Sequence, residues 1–343
     1  MKFVDLNSEY EFFKTDIENN RKDVLNSGWY LLGPQLEKLE TDFAKVIGVN
    51  NAVGVKNCTD AITMIVSIFP KDVPVIIPNF GAYPTAIAVA RHTSNIYYIN
   101  VDNTLTMDPR ELPKDVKNGI IIPVHLFGNN CDMDAILKYA KDNSHTVIED
   151  CAQSTGSGSG TKGDYSVFSF YPTKPLSSMG DGGMICSNKD LEIFKKMRFY
   201  GQNNGTIEFV GINSRMDEFQ ASIVNVKLNK FQELNDIRIS IANRYKKIVK
   251  GVKERGRCVY HQFVMLVNDR NKVIEILQNN KIPYMIHYPK HISTMVHTSR
   301  LDSPEVENIV NDKVISLPCH PFLLESDINK IEEVLWEIKP FEY

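Results

Sequence analysis

The chain predicts an α/β fold: a mostly parallel central sheet flanked by helices, followed by a smaller α+β region. Three observations carry this. Short runs rich in β-branched residues alternate with amphipathic stretches through the first two-thirds of the 343 residues, the pattern of strands joined by crossover helices. The runs are almost continuously apolar, as strands covered on both faces require. From about residue 256 the texture shifts to a strand, a helix and a terminal helix. The division drawn is 1–230 for the large domain and 231–343 for the small C-terminal one.

In order, strands are expected at VPVIIP (73–78), IYYIN (96–100), GIIIPV (119–124), TVIED (146–150), SVFSFY (166–171) and GMICS (183–187). All are short and bounded by turn residues. Helices are expected over Asp60 to Phe69 and Asp132 to Asp142, the second with Met133, Ile136, Leu137 and Ala140 at helical spacing. Met216, Phe219, Ile223, Val226 and Leu228 suit one amphipathic helix, and Leu234 to Val252 a second, longer one. RCVYHQFVMLV reads as a strand, VIEILQNN as a helix and INKIEEVLWEI as the terminal helix.

Composition excludes several classes of function. The net charge is -3, from 39 basic and 42 acidic residues, which gives no electrostatic reason for nucleic acid or an anionic membrane as partner. No apolar run approaches the ~18 residues of a membrane span. MKFVDLNSEYEFFK lacks the apolar core of a signal peptide. The six cysteines show neither CxxC nor zinc-ribbon spacing, and scattered thiols fit a reducing cytoplasm.

Gly158-Ser-Gly160-Thr-Lys-Gly163 matches GxGxxG, but a β-type run follows it where a dinucleotide site needs a helix. It reads as a turn segment. His287, His291 and His297 cluster without a cysteine or acidic ligand pattern, so no metal is expected. The informative constellation is Glu149-Asp150-Cys-Ala-Gln153, Ser169-Phe-Tyr-Pro-Thr-Lys174 and Gly180-Asp-Gly-Gly183. Asp150 ends an apolar strand, where α/β sheets place ligands, and a carboxylate there is costly unless it meets a cation. Lys174 sits among aromatic, prolyl and apolar neighbours that can desolvate its amine and lower its pKa. An ordinary ion pair fits these residues, and so does a Schiff-base lysine.

At these positions the chain resembles the DegT/DnrJ/EryC1/StrS sugar aminotransferases, which are fold-type I enzymes dependent on pyridoxal 5'-phosphate (PLP). The resemblance runs through SGWYLLGPQLEKLETDFAKVIGV (27–49), PVHLFGNNCDMDAI (123–136), VIEDCAQSTG (147–156), FSFYPTKPL (168–176), GDGGMI (180–185), GINSRMDEFQASIVNVKL (211–228), IHYP (286–289) and SLPCHP (316–321). It implies that Lys174 is the Schiff-base lysine and Asp150 the partner of the pyridine nitrogen. It puts Gln153 near the phenolic oxygen and Ser169 on the phosphate. Thr59 and Asp60 fall in the turn whose amides hold that phosphate. Asn213 falls on the residue that reaches the neighbouring subunit's phosphate, which implies a homodimer with shared active sites. The family's stacking ring is replaced by Ala82, leaving Tyr83 or Phe80 to substitute, and Asn57-Cys58-Thr59 stands for its Ser-Gly-Thr turn.

The resemblance further implies transamination of a nucleotide-linked keto-sugar for surface polysaccharide, with glutamate as donor. A small phosphorylated ketone such as dihydroxyacetone phosphate is the alternative substrate. His287, Tyr288, Lys290 and His291 are the candidate substrate residues, although Lys290 and His291 also suit a solvated loop. A dehydratase would carry histidine at position 174, and a pure regulator would not need the base.

Overall fold

The computed structural model describes residues 1–296 and 310–341. Two helices open it, α1 (Leu6–Ser27) and α2 (Pro34–Ile47). They are followed by β1 (Asn51–Val55), α3 (Cys58–Ser67), β2 (Val75–Pro78), α4 (Pro84–Ala90), β3 (Ile96–Ile99) and β4 (Ile120–Ile121). Next come α5 (Met133–Asp142), β5 (Thr146–Asp150), β6 (Tyr165–Ser169), β7 (Gly183–Ser187) and α6 (Glu192–Met197). A small hairpin, β8 (Gln202–Asn203) and β9 (Thr206–Ile207), precedes α7 (Glu218–Leu228) and α8 (Phe231–Tyr245). The remainder holds β10 (Phe263–Leu266), α9 (Arg270–Asn279), α10 (Ile292–Met295), β11 (Val314–Leu317) and α11 (Glu325–Ile338).

Seven strands form the main sheet in the order β1-β7-β6-β5-β4-β2-β3. The block from β6 to β3 is parallel, while β7 runs antiparallel to both β6 and β1. The expected mostly parallel sheet is therefore present, and β10 and β11 form a separate antiparallel pair. Helix starts follow local capping chemistry: Asp132, Asp217 and Asp269 each accept a backbone N–H of their own first turn.

Several expected boundaries shift for physical reasons. GIIIPV contributes only Ile120–Ile121 to the ladder, because Pro123 has no N–H to donate. Beyond it the chain keeps a single parallel bridge from Val124 to Asp150. Met216 lies before α7, not in it, and is buried against the core. The long helix expected over Leu234 to Val252 ends at Tyr245. Its first residue, Phe231, packs in the core under α2, while Ile241, Ala242 and Tyr245 belong to the C-terminal core. β1 is not evident in the sequence, since a five-residue run interrupted by Gly54 gives a weak signal. His297 lies outside the described residues. All six cysteines are free and buried, and among the described residues no helix is long and apolar enough to cross a membrane.

Candidate active site

The parallel strands end at a cavity of about 560 Å³. Its walls come from four places. The start of α3 supplies Asn57, Cys58, Thr59 and Asp60, and the start of α4 supplies Ala82, Tyr83 and Thr85. The end of β5 gives Asp150, Ala152 and Gln153; the segment after β6 gives Ser169, Tyr171 and Lys174. Chain elements more than a hundred residues apart thus converge at the carboxyl ends of one sheet.

Asp150 is the last residue of β5 and is 3% exposed. Its Oδ2 accepts the Thr85 hydroxyl at 2.7 Å and its Oδ1 accepts the Ala152 N–H at 3.1 Å. Burial pushes its carboxyl pKa up; the Thr85 and Ala152 bonds and the Lys174 charge oppose that rise. Burial also lowers the pKa of Lys174, with Asp150 opposing. Lys174 feels Cys58, His261 and His287 as well. Among the described residues no basic side chain forms an ion pair with Asp150, so a buried carboxylate faces the cavity without the cation that would offset its cost. The ordinary ion-pair reading of Asp150 is therefore not what the structure shows.

The first turn of α3 brings two backbone N–H groups, those of Cys58 and Thr59, to the cavity with no intrahelical acceptor. The Asp60 N–H is already taken by the Asn57 side chain at 2.7 Å, so the amide donors of this turn are those of Cys58 and Thr59. The Asp60 carboxylate pairs with Arg91 at 3.3 Å and accepts the Ser214 hydroxyl at 2.9 Å. Gly183, the last glycine of GDGGMI, is required by packing: a Cβ there would meet the Asn57 carbonyl carbon at 2.5 Å and the Cys58 nitrogen at 2.7 Å. Any side chain would push the α3 start away from β7.

The other expected residues divide. Ser169 is buried and lines the cavity. Gln153 accepts the Phe127 N–H at 2.7 Å and donates to the Tyr288 hydroxyl at 3.0 Å. Tyr288 thus lies behind Gln153 and does not line the cavity itself, and burial pushes its hydroxyl pKa to about 12. His287 bonds Ser316 at 2.9 Å, and burial, then the Lys174 charge, hold it near 4. Of the two candidate rings, Tyr83 lines the cavity, whereas Phe80 is buried against Phe127 and Tyr288. Lys290 and His291 do not line it; Lys290 is exposed, and His291 caps the short α10. Asn213 is also outside the cavity, exposed on the surface and accepting from Arg215 at 3.0 Å.

Thr85, Arg91, Tyr171 and Asp181 also line the cavity, and the sequence reading did not single them out. A threonine just inside a Pro-started helix carries no signal of its own, and its partner is far along the chain.

Comparison with known proteins gives the family of the chain. A sequence model of the DegT/DnrJ/EryC1/StrS aminotransferase family matches residues 13–335. The dTDP-3-amino-3,6-dideoxy-alpha-D-galactopyranose transaminase of Aneurinibacillus thermoaerophilus is 31% identical, over 97% of this chain and 98% of its own. The UDP-N-acetyl-3-dehydro-alpha-D-glucosamine 3-aminotransferase of Acidithiobacillus ferrooxidans is 32% identical, over 97% and 96%. A solved DegT DnrJ EryC1 StrS aminotransferase from Brucella abortus superposes with a TM-score of 0.91 at 27% identity, covering 99% of each chain.

Proposed function

This chain belongs to the DegT/DnrJ/EryC1/StrS aminotransferase family, and from that premise we propose that it uses PLP to move an amino group from glutamate to the keto carbon of a nucleotide-linked sugar. The setting proposed is the cytoplasm and the pathway that of a surface polysaccharide. One observation carries the chemistry: a buried, uncompensated carboxylate and a desolvated lysine line the same cavity as an open helix N-terminus.

The residues present fit PLP. The Asp150 carboxylate, buried and without an ion-pair partner among the described residues, suits a cationic ring nitrogen. The Cys58 and Thr59 N–H groups, the α3 dipole and the Ser169 hydroxyl suit a phosphate. Of the two expected rings, Tyr83 is the one that lines the cavity and can stack, and Gln153 lines the cavity with Asp150. When bound, PLP supplies an electron sink for the carbon that loses its proton. Lys174 would hold the cofactor through its amine, and the same Nζ, when free, would accept and return that proton. Burial lowers its pKa, which favours the neutral amine that a base requires. Tyr288 and His287 face the substrate from the C-terminal region. Asn213, exposed in one protomer, completes the phosphate site of its partner in a homodimer. The relatives named above carry nucleotide-linked sugars in their names, which favours that substrate over a small phosphorylated ketone.

The test is spectroscopic. Protein reconstituted with PLP is expected to show a visible band that glutamate bleaches. Borohydride reduction and peptide mapping are expected to place the label on Lys174, and Lys174→Ala to lose it. No band, or a label on another lysine, overturns the reading. A panel of keto-sugar nucleotides and keto-phosphates then selects the substrate.

A further inference from the structure

Thr85 is the second residue of α4, behind Pro84, and is 4% exposed. A helical threonine with a turn before it commonly bonds back to a carbonyl of that turn. Thr85, in the first turn of α4, has no such turn behind it. Its hydroxyl crosses to another element and donates to Asp150 Oδ2 at 2.7 Å. Among the described residues it is the one side-chain donor to Asp150, and Ala152 supplies the one backbone donor. The titratable neighbours Lys174, His125, Cys58 and Tyr288 act on Asp150 through space without hydrogen-bonding it.

A carboxylate that accepts a hydroxyl hydrogen bond is a weaker base than one that does not. Between a carboxylate and a pyridine nitrogen, a shared proton goes to the stronger base. For a buried carboxylate, one hydrogen bond can decide which that is. Resting on the PLP reading above, we propose that Thr85 is a positioning residue that weakens Asp150 as a base, so that the shared proton stays on the cofactor's ring nitrogen. The same bond fixes the carboxylate plane. Each oxygen keeps a lone pair free for the ring, and the carboxylate cannot rotate away.

The test compares the wild-type holoenzyme with Thr85→Val, which removes the donor, and Thr85→Ser, which keeps it. Each is loaded with PLP labelled with ¹⁵N at the ring. In wild type and Thr85→Ser the nitrogen resonance is expected at the protonated position. In Thr85→Val it is expected to move toward the unprotonated one, with kcat for the glutamate half-reaction falling about tenfold and KM little changed, the size expected for one hydrogen bond to a charged group. A protonated ring and a kcat within twofold of wild type in Thr85→Val overturn the proposal. So does an equal loss in Thr85→Ser, which would mark a packing role. A wild-type protein that takes up no PLP overturns the functional reading itself, a separate and recognisable failure.

Discussion

Glu149 and Asp150 are consecutive residues of one strand, both about equally buried, and they live in opposite chemical circumstances. The pleat sends them to opposite faces of the sheet. Glu149 meets a complete set of donors. Gly160 gives an N–H at 2.9 Å, Lys162 and Gly163 give theirs at 2.7 Å, and His125 Nε2 lies at 3.0 Å. The Cys131 N–H donates to His125 Nδ1 at 3.1 Å, which leaves the ring proton on Nε2 to serve Glu149. Burial alone would raise the Glu149 pKa, yet His125 and the backbone donors bring it to about 2. Asp150 has two donors, no cation in contact, and a raised pKa. The lesson is that burial does not distinguish a structural acid from a working one. Unfilled hydrogen-bonding capacity facing a cavity does.

The sharpest way to break this comparison is to neutralise each acid in turn. Glu149→Gln turns an amide NH₂ toward backbone donors, and breaking a buried, hydrogen-bonded charge of this kind costs about 3–5 kcal/mol. Chemical denaturation should show that loss, while kcat per folded molecule stays near wild type. Asp150→Asn should do the reverse. Transamination is expected to fall about 10²–10³-fold, as when a preorganised electrostatic contact is removed. The stability of the cofactor-free protein should hold or rise, because a costly buried charge is gone. Equal stability losses in the two variants would erase the distinction.

A smaller effect is expected at the Glu149 side from Gly160→Ala. Gly160 has φ +91°, and a Cβ there would meet Phe168 Cζ at 2.6 Å. More than about 1 kcal/mol should be lost, measurable as a lower denaturation midpoint with unchanged KM for glutamate. The smallest effect is on pH dependence at the cavity side. His287 has a folded pKa of about 4 against an ordinary 6.5, mainly from burial. The unfolded chain therefore binds more protons between those values. The Tm of the cofactor-free protein should fall as pH drops from 6.5 toward 4, and His287→Asn should flatten part of that slope.

Much of this was legible in the sequence. Asp150 stands at the end of an apolar strand, and Lys174 follows the next strand among desolvating neighbours. Both stood out because strand ends and apolar context are local properties. The glycine-rich turn Gly158–Gly163 was legible as a turn, but its occupant was not. It does hold an anion with backbone N–H groups, and that anion is the chain's own Glu149. The signal was there in weak form, as glycines soon after an acidic strand end. Thr85 and Arg91 gave none, because their meaning lies in partners on other elements.

Six of the main-sheet strands, the acid at 150 and the amine at 174 are legible in the sequence by itself, since apolar runs and neighbouring residues mark them. Only the tertiary structure decided which of two adjacent carboxylates is saturated and which is open, that Tyr83 and not Phe80 lines the cavity, and that a helix-start threonine hydrogen-bonds Asp150. The physical reason is that a buried polar group takes its character from donors and acceptors that reach it through space, and here those arrive from elements far apart along the chain.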